Sequence, residues 1–275
     1  MNLFTPAEVV KNYALAGKKK TELPVWKMLI LGILAGMFIA LGSAATNTAS
    51  HSISDISTIR TMCGLLFPGG LCLVILMGGE LFTGNNLIII SVLEKETSIS
   101  KMLKNWFFVY IGNFIGSLVV AYGCARFGQM NFSSGGLAVF TMKLAAAKSS
   151  ISFINAVGLG FFCNFLVCLA VLASLAAKDA AGRILGIIFP IAYFVICGFE
   201  HCVANMYYIP AGIFAAQIPL YAEKAIEAGI NLSVLSWGNM IVKNLIPVTI
   251  GNILGGIAVG LLMWLGHGYQ IKEKE

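Results

Sequence analysis

The sequence predicts an all-α membrane protein with six spans, arranged as two inverted three-span repeats in which the second and fifth spans are broken. Three observations lead there. Of 275 residues, 58% are hydrophobic and only 11% are charged, whereas a soluble domain carries about 25% charged residues. Two apolar runs, residues 61–93 and 184–220, are each interrupted by one charge, Glu80 and Glu200. As single helices they would measure roughly 50 and 55 Å at about 1.5 Å per residue, against a hydrocarbon core of about 30 Å. Finally, the two halves share an ordered pattern. Gly78-Gly79-Glu80 precedes Asn85, and Gly198-Phe199-Glu200 precedes Asn205. Downstream, Gly112-Asn113-Phe114-Ile115-Gly116 is matched by Gly251-Asn252-Ile253-Leu254-Gly255. With three spans per half, the second half enters the membrane from the opposite side.

The elements follow in order. Thr5, Pro6 and Glu8 form a capping box with proline at the first helical position. Gly17 is expected to end that helix, with Lys18, Lys19 and Lys20 suiting its negative end. Val9, Val10 and Tyr13 give it a weak apolar face, so residues 1–23 read as an interfacial cytoplasmic helix. Residues 24–268 read as a single transmembrane domain, with repeats at about 24–127 and 151–268, and residues 269–275 as a cytoplasmic tail. The spans are expected at 28–46, 61–93, 105–125, 151–177, 184–220 and 245–266. A polar connection fills 47–60, a Gly- and Ser-containing one 126–150, a tight charged turn 178–183, and an amphipathic stretch 221–243.

Basic residues set the orientation, because Lys and Arg accumulate in cytoplasmic loops. With the N-terminus inside, Lys11, Lys18, Lys19, Lys20, Lys27, Lys95, Lys101, Lys104, Lys178, Arg183, Lys272 and Lys274 are cytoplasmic, against Arg60, Arg126, Lys143, Lys148, Lys224 and Lys243 outside. Both termini are therefore expected in the cytoplasm, with the chain multi-pass in the cytoplasmic (inner) membrane. A net charge of +6, clustered at segment ends, argues against a nucleic-acid partner. Seven cysteines without C-x-x-C read as small apolar residues rather than metal ligands or disulfides, and no cofactor is implied. No cleavable signal peptide is expected, since no basic segment with a short apolar core precedes the first span.

Chemistry concentrates at the two breaks. Broken backbone at membrane depth is tolerated where it is buried in protein or lines a wet cavity, and its free N–H groups attract an anion. Leu81-Phe82-Thr83-Gly84-Asn85-Asn86 supplies a hydroxyl and two amides at the first break. Gly198, Glu200, His201 and Asn205 mark the second, where His201 can change charge between pH 5 and 8. Glu80 and Glu200 either line a pore or hold the breaks in shape. Lys148 stands just before the fourth span, and Asn164 lies at its middle. Phe67, Leu71, Leu81 and Phe194 flank the polar groups, as apolar constrictions or as ordinary core.

At these residues the chain resembles the formate/nitrite transporter family. The matching pieces are Gly79-Glu80-Leu81-Phe82-Thr83, the run Phe162-Cys163-Asn164-Phe165-Leu166-Val167-Cys168-Leu169-Ala170-Val171, the run Gly198-Phe199-Glu200-His201-Cys202-Val203-Ala204-Asn205-Met206, and Gly251-Asn252-Ile253-Leu254-Gly255-Gly256. The resemblance implies an aquaporin-like protomer in the lipid bilayer and a homopentamer with one pore per subunit. It also implies passage of small monovalent anions, inorganic or organic: hydrosulfide, nitrite or formate. It makes His201 the central histidine, Glu200 its neighbouring carboxylate, Thr83 the hydroxyl of the first break, Lys148 the outer lysine and Asn164 the mid-span amide. Leu81 and Phe194 become constrictions, with Phe67 on the outer side. One departure is Gly84-Asn85-Asn86, where many formate channels have small hydroxyl residues, so the anion stays open. The alternative is a neutral-solute or ammonium channel on an aquaporin-like fold, against which the absence of Asn-Pro-Ala triplets counts. An intramembrane enzyme using Cys202 and His201 is not expected, because adjacent residues rarely aim at each other.

Overall fold

The computed structural model describes residues 2–268. The expected tail at 269–275, with Lys272 and Lys274, lies outside them. Among the described residues the chain is helical, with no strand and one isolated bridge between Leu3 and Ala177. The helices are α1 (Pro6–Glu22), α2 (Val25–Ser50), α3 (Ile56–Leu76), α4 (Phe82–Leu93), α5 (Ile99–Arg126), α6 (Gly136–Lys148), α7 (Phe153–Ala176), α8 (Ala180–Cys197), α9 (Cys202–Ala216), α10 (Pro219–Glu227) and α11 (Trp237–Gly268). Six of them, α2, α3, α5, α7, α8 and α11, are long and apolar enough to cross a membrane. α11 carries two wide turns, at Met240–Leu245 and Trp264–Gly268.

Two helix pairs form the scaffold, α2 against α5 and α7 against α11. In each, glycine lets the backbones touch. A Cβ on Gly116 would overlap the Ile33 carbonyl, and one on Gly255 the Phe161 carbonyl. Close approach of this kind holds helices together where lipid removes the hydrophobic drive between them.

The helical path stops between α3 and α4 and again between α8 and α9. Both stops use a left-handed glycine, Gly78 at φ +70° and Gly198 at φ +72°. Gly79 N–H then returns to the Val74 carbonyl at 2.9 Å, and Phe199 N–H to the Phe194 carbonyl at 3.0 Å, satisfying carbonyls that a helix end leaves open. The interruptions are shorter than the sequence suggested. Helix resumes at Phe82 and at Cys202, so Gly84, Asn85 and Asn205 lie inside helices. The reason is that side chains from elsewhere in the chain take the first free N–H groups, as described below.

Two further expectations are corrected. Gly17 does not end α1, which runs on to Glu22. It lies where a Cβ would overlap the Ser91 hydroxyl, so its role is close approach rather than termination. The capping box at Thr5 and Glu8 is present, and the buried face of Val9, Val10, Tyr13 and Ala14 packs on Leu87, Ile90, Cys168 and Leu172. Gly17→Val is therefore expected to push α1 off this surface at a cost of about 1–3 kcal/mol. Hydrogen exchange over residues 6–22 should rise in the variant and stay unchanged in an exposed control, Leu15→Ala.

The second correction concerns 126–150. This connection contains α6, whose Leu137, Ala138, Met142 and Ala145 are buried, largely against α9. Local sequence hides it because its glycine and alanine content gives little apolar periodicity, and packing supplies what propensity does not.

Candidate functional site

Each helix restart is held by one buried asparagine. Asn113 Oδ1 accepts from Phe82 N–H at 2.9 Å, and its amide donates to the carbonyls of Gly32 at 2.8 Å and Glu80 at 2.9 Å. Asn252 Oδ1 accepts from Cys202 N–H at 2.9 Å, and its amide donates to Gly160 at 2.8 Å and Glu200 at 2.9 Å. The same three bonds are made at both restarts, satisfying groups that would otherwise be orphaned away from water.

The two carboxylates are held in matching ways. Glu80 accepts from Lys20 Nζ at 2.7 Å and Asn85 Nδ2 at 2.7 Å. Glu200 accepts from Lys148 Nζ at 2.8 Å and Asn205 Nδ2 at 2.6 Å. Asn85 also donates to Asn105, and Asn205 to Asn244, each at 2.8 Å. Asn105 closes the first ring on the Lys20 carbonyl and Asn244 the second on the Lys148 carbonyl. Lys148, the outer lysine of the resemblance, is thus ion-paired, and its ammonium also lies 5.5 Å from the Tyr208 ring centroid.

Lys20, Asn105 and Asn244 were missed by sequence reasoning. The asparagines carried a usable signal: Asn105 stands eight residues before Asn113, and Asn244 eight before Asn252. Lys20 carried none, because a lysine in a last helical turn is explained locally by the helix dipole.

Two cavities open on these rings. One, of about 200 Å³, is lined by Lys20, Glu80, Leu71, Leu81, Gly84 and Asn85 among others. The second, of about 430 Å³, is lined by Lys148, Glu200, His201, Phe67, Phe194 and Asn205 among others. Leu71 and Leu81 from the first and Phe67 and Phe194 from the second belong to a single buried apolar cluster. The Phe67 and Phe194 rings meet edge to face at 5.5 Å, and Phe194 stacks on His201 at 5.9 Å between centroids.

His201 is 3% exposed and caps α9. Its Nδ1 accepts from Ala204 N–H at 3.0 Å, and its Nε2 lies 3.0 Å from Thr83 Oγ1. An acceptor nitrogen carries no hydrogen, so the geometry assigns the neutral ring with its proton on Nε2, aimed at Thr83. A charged ring would give up the Ala204 bond. Both ring nitrogens are thus engaged, and the neighbouring Cys202 N–H goes to Asn252.

Asn164 is fully buried and does not reach the imidazole. Its amide donates to Asn86 Oδ1 at 2.8 Å, the Thr83 carbonyl at 3.2 Å and the Asn252 carbonyl at 2.7 Å. It thereby joins the start of α4 to α11.

Six membrane-length helices around two cavities that each hold a lysine–carboxylate pair, with an imidazole at the apolar wall between them, define a multi-pass membrane protein of the channel or transporter class. A family model described as "Formate/nitrite transporter" matches residues 7–265. The uncharacterized transporter YrhG of Bacillus subtilis is 38% identical over 98% of this chain and 96% of its own length. The formate channel FocA of Escherichia coli K12 is 34% identical over 96% of this chain and 94% of its own. A solved structure described as a pentameric formate channel with formate bound superposes with a TM-score of 0.79 at 34% identity, covering 90% of this chain and 98% of that one. The chain belongs to the formate/nitrite transporter family.

Proposed function

We propose that this protein is a channel for small monovalent anions of weak acids, with one pore in each protomer of a homopentamer. Formate is the first candidate, because curated relatives carry the name formate channel and the solved neighbour is a pentamer with formate bound. Nitrite and hydrosulfide are the others. The chain lies in the cytoplasmic membrane with both termini inside, as its basic residues favour.

The architecture we propose is a pair of inverted repeats with broken second and fifth spans. What supports it is the matched bond set at Glu80 and Glu200, repeated partner for partner. On this reading α1 and α6 are counterparts, each ending near the lysine that pairs with a pore carboxylate. The repeats then begin at α1 and α6, earlier than residues 24 and 151. α1 is part of the first repeat and covers the cytoplasmic cavity.

The single observation that carries the function is the apolar wall between two lysine-bearing cavities, with the His201–Thr83 pair set in it. Taking a bare anion across such a wall is costly, since an unpaired charge in an apolar medium loses its hydration without replacement. We read the net positive charge of the two cavity walls as raising the local anion concentration. The solute takes a proton from the aqueous phase at the cavity, crosses Leu81, Phe194 and Phe67 as the neutral acid, and returns the proton to water on the far side. His201 stays neutral and orients Thr83, whose hydroxyl hydrogen donates to the solute in place of water. Asn164, Gly84, Gly198, Glu80, Asn85 and Asn205 hold the two half-helices in register.

Proteoliposome uptake tests this. Formate and nitrite uptake should rise as external pH falls, while glycerol and ammonium uptake stay at the level of empty vesicles. Uptake of ammonium or glycerol in place of the acids would refute the reading.

A further inference from the structure

We infer that Arg60 and Arg183 are the residues that recruit the anion to the two cavities, a proposal that rests on the channel reading above. In each cavity the lysine is neutralised by a carboxylate within 2.8 Å. Each cavity wall also contains one arginine, Arg183 in the first and Arg60 in the second. The acidic residues lining them are Glu80 and Glu200 respectively, both already paired. Two cations therefore face one carboxylate in each cavity, and the surplus charge is the arginine.

Neither guanidinium has a hydrogen-bond acceptor or ion-pair partner among the described residues. The acids nearest in sequence are committed to helix starts. Asp55 caps α3 through Thr58 N–H and Oγ1, which hold its carboxyl below the usual range. Asp179 caps α8 through Gly182 N–H. Arg60 is placed at the wall by the glycine that ends α8: a Cβ on Gly198 would come 3.0 Å from Arg60 Nη1. The guanidinium thus lies over the turn that leads to Glu200 and His201. One unpaired guanidinium charge per cavity raises the potential there and draws in a small anion.

This charge acts through its field, which fixes the test. Initial formate uptake below saturation is measured for wild type, Arg60→Gln/Arg183→Gln and Arg60→Lys/Arg183→Lys, at equal reconstituted protein and matching size-exclusion profiles. Both sites are changed together because protein inserts into vesicles in either orientation. The glutamine pair should take up formate at least about threefold more slowly at 0.01 M ionic strength, where the screening length is about 30 Å. The gap should close at 1 M, where that length is about 3 Å, and the lysine pair should stay near wild type. Equal uptake by wild type and the glutamine pair at low salt overturns the proposal. So does a deficit that persists at 1 M, or one shared by the lysine pair, since either marks a packing role over Gly198. Those three results leave the channel reading standing, whereas a wild type that passes no anion removes both.

Discussion

Asn252→Leu should unfold the crossing point of the half-helices. The leucine fills a similar volume but leaves Cys202 N–H and the carbonyls of Gly160 and Glu200 without their present partners. All are buried; the Gly160 carbonyl keeps its bond within α7, while the orphaned Cys202 N–H and Glu200 carbonyl each cost about 1–3 kcal/mol. The total should exceed roughly 3 kcal/mol, a large part of the stability of an ordinary domain. Detergent-solubilised variant should show a markedly lower thermal transition and loss of the monodisperse oligomer. Asn113→Leu should behave alike, because its three bonds are the same at the other restart. Asn155→Ala, on the exposed start of α7, should shift stability by less than about 0.5 kcal/mol. A stable Asn252→Leu would mean that water or relaxed backbone satisfies these groups instead.

The second large effect is on transport. His201→Phe removes the donor to Thr83 and the cap on Ala204 N–H. Formate uptake should fall at least about tenfold at every pH, since nothing then replaces water beside Thr83 and the loss of a cap typically costs about 1 kcal/mol more. His201→Asn separates the two accounts of the imidazole. Asparagine is among the best N-caps and stays neutral. If the ring works as a neutral donor and cap, His201→Asn keeps uptake within about threefold and keeps its pH response. If the ring itself takes up and releases the proton, His201→Asn loses that response as completely as His201→Phe.

Much of this site is legible in sequence for a simple reason. Glu80, Glu200, His201 and the asparagines stand in apolar runs, where a polar side chain needs a partner or a task. Their repetition in order also points to the two-half arrangement. What sequence does not carry is the identity of distant partners. Lys20 pairs with a residue sixty positions on, and in its own helix it looks like ordinary dipole compensation. Lys148 likewise pairs with a residue fifty-two positions on. Local propensity makes Gly17 a helix terminator, and tertiary contact with Ser91 reverses that. α6 lies within the Gly- and Ser-containing connection at 126–150, where little apolar periodicity marks a helix, and its stability comes from the face it buries. Sequence places Asn164 at the middle of its span, and only the fold reveals that its amide donates to backbone carbonyls and Asn86.

The account turns on the solute crossing the wall at Leu81 and Phe194 as a neutral acid while His201 stays uncharged. The most direct measurement is the number of protons that accompany each formate into proteoliposomes, read from an entrapped pH indicator beside isotope uptake. One proton per formate, with no membrane potential developing, is the predicted result. Formate entry that builds a potential while the interior pH stays constant would show the bare anion crossing, and would contradict it.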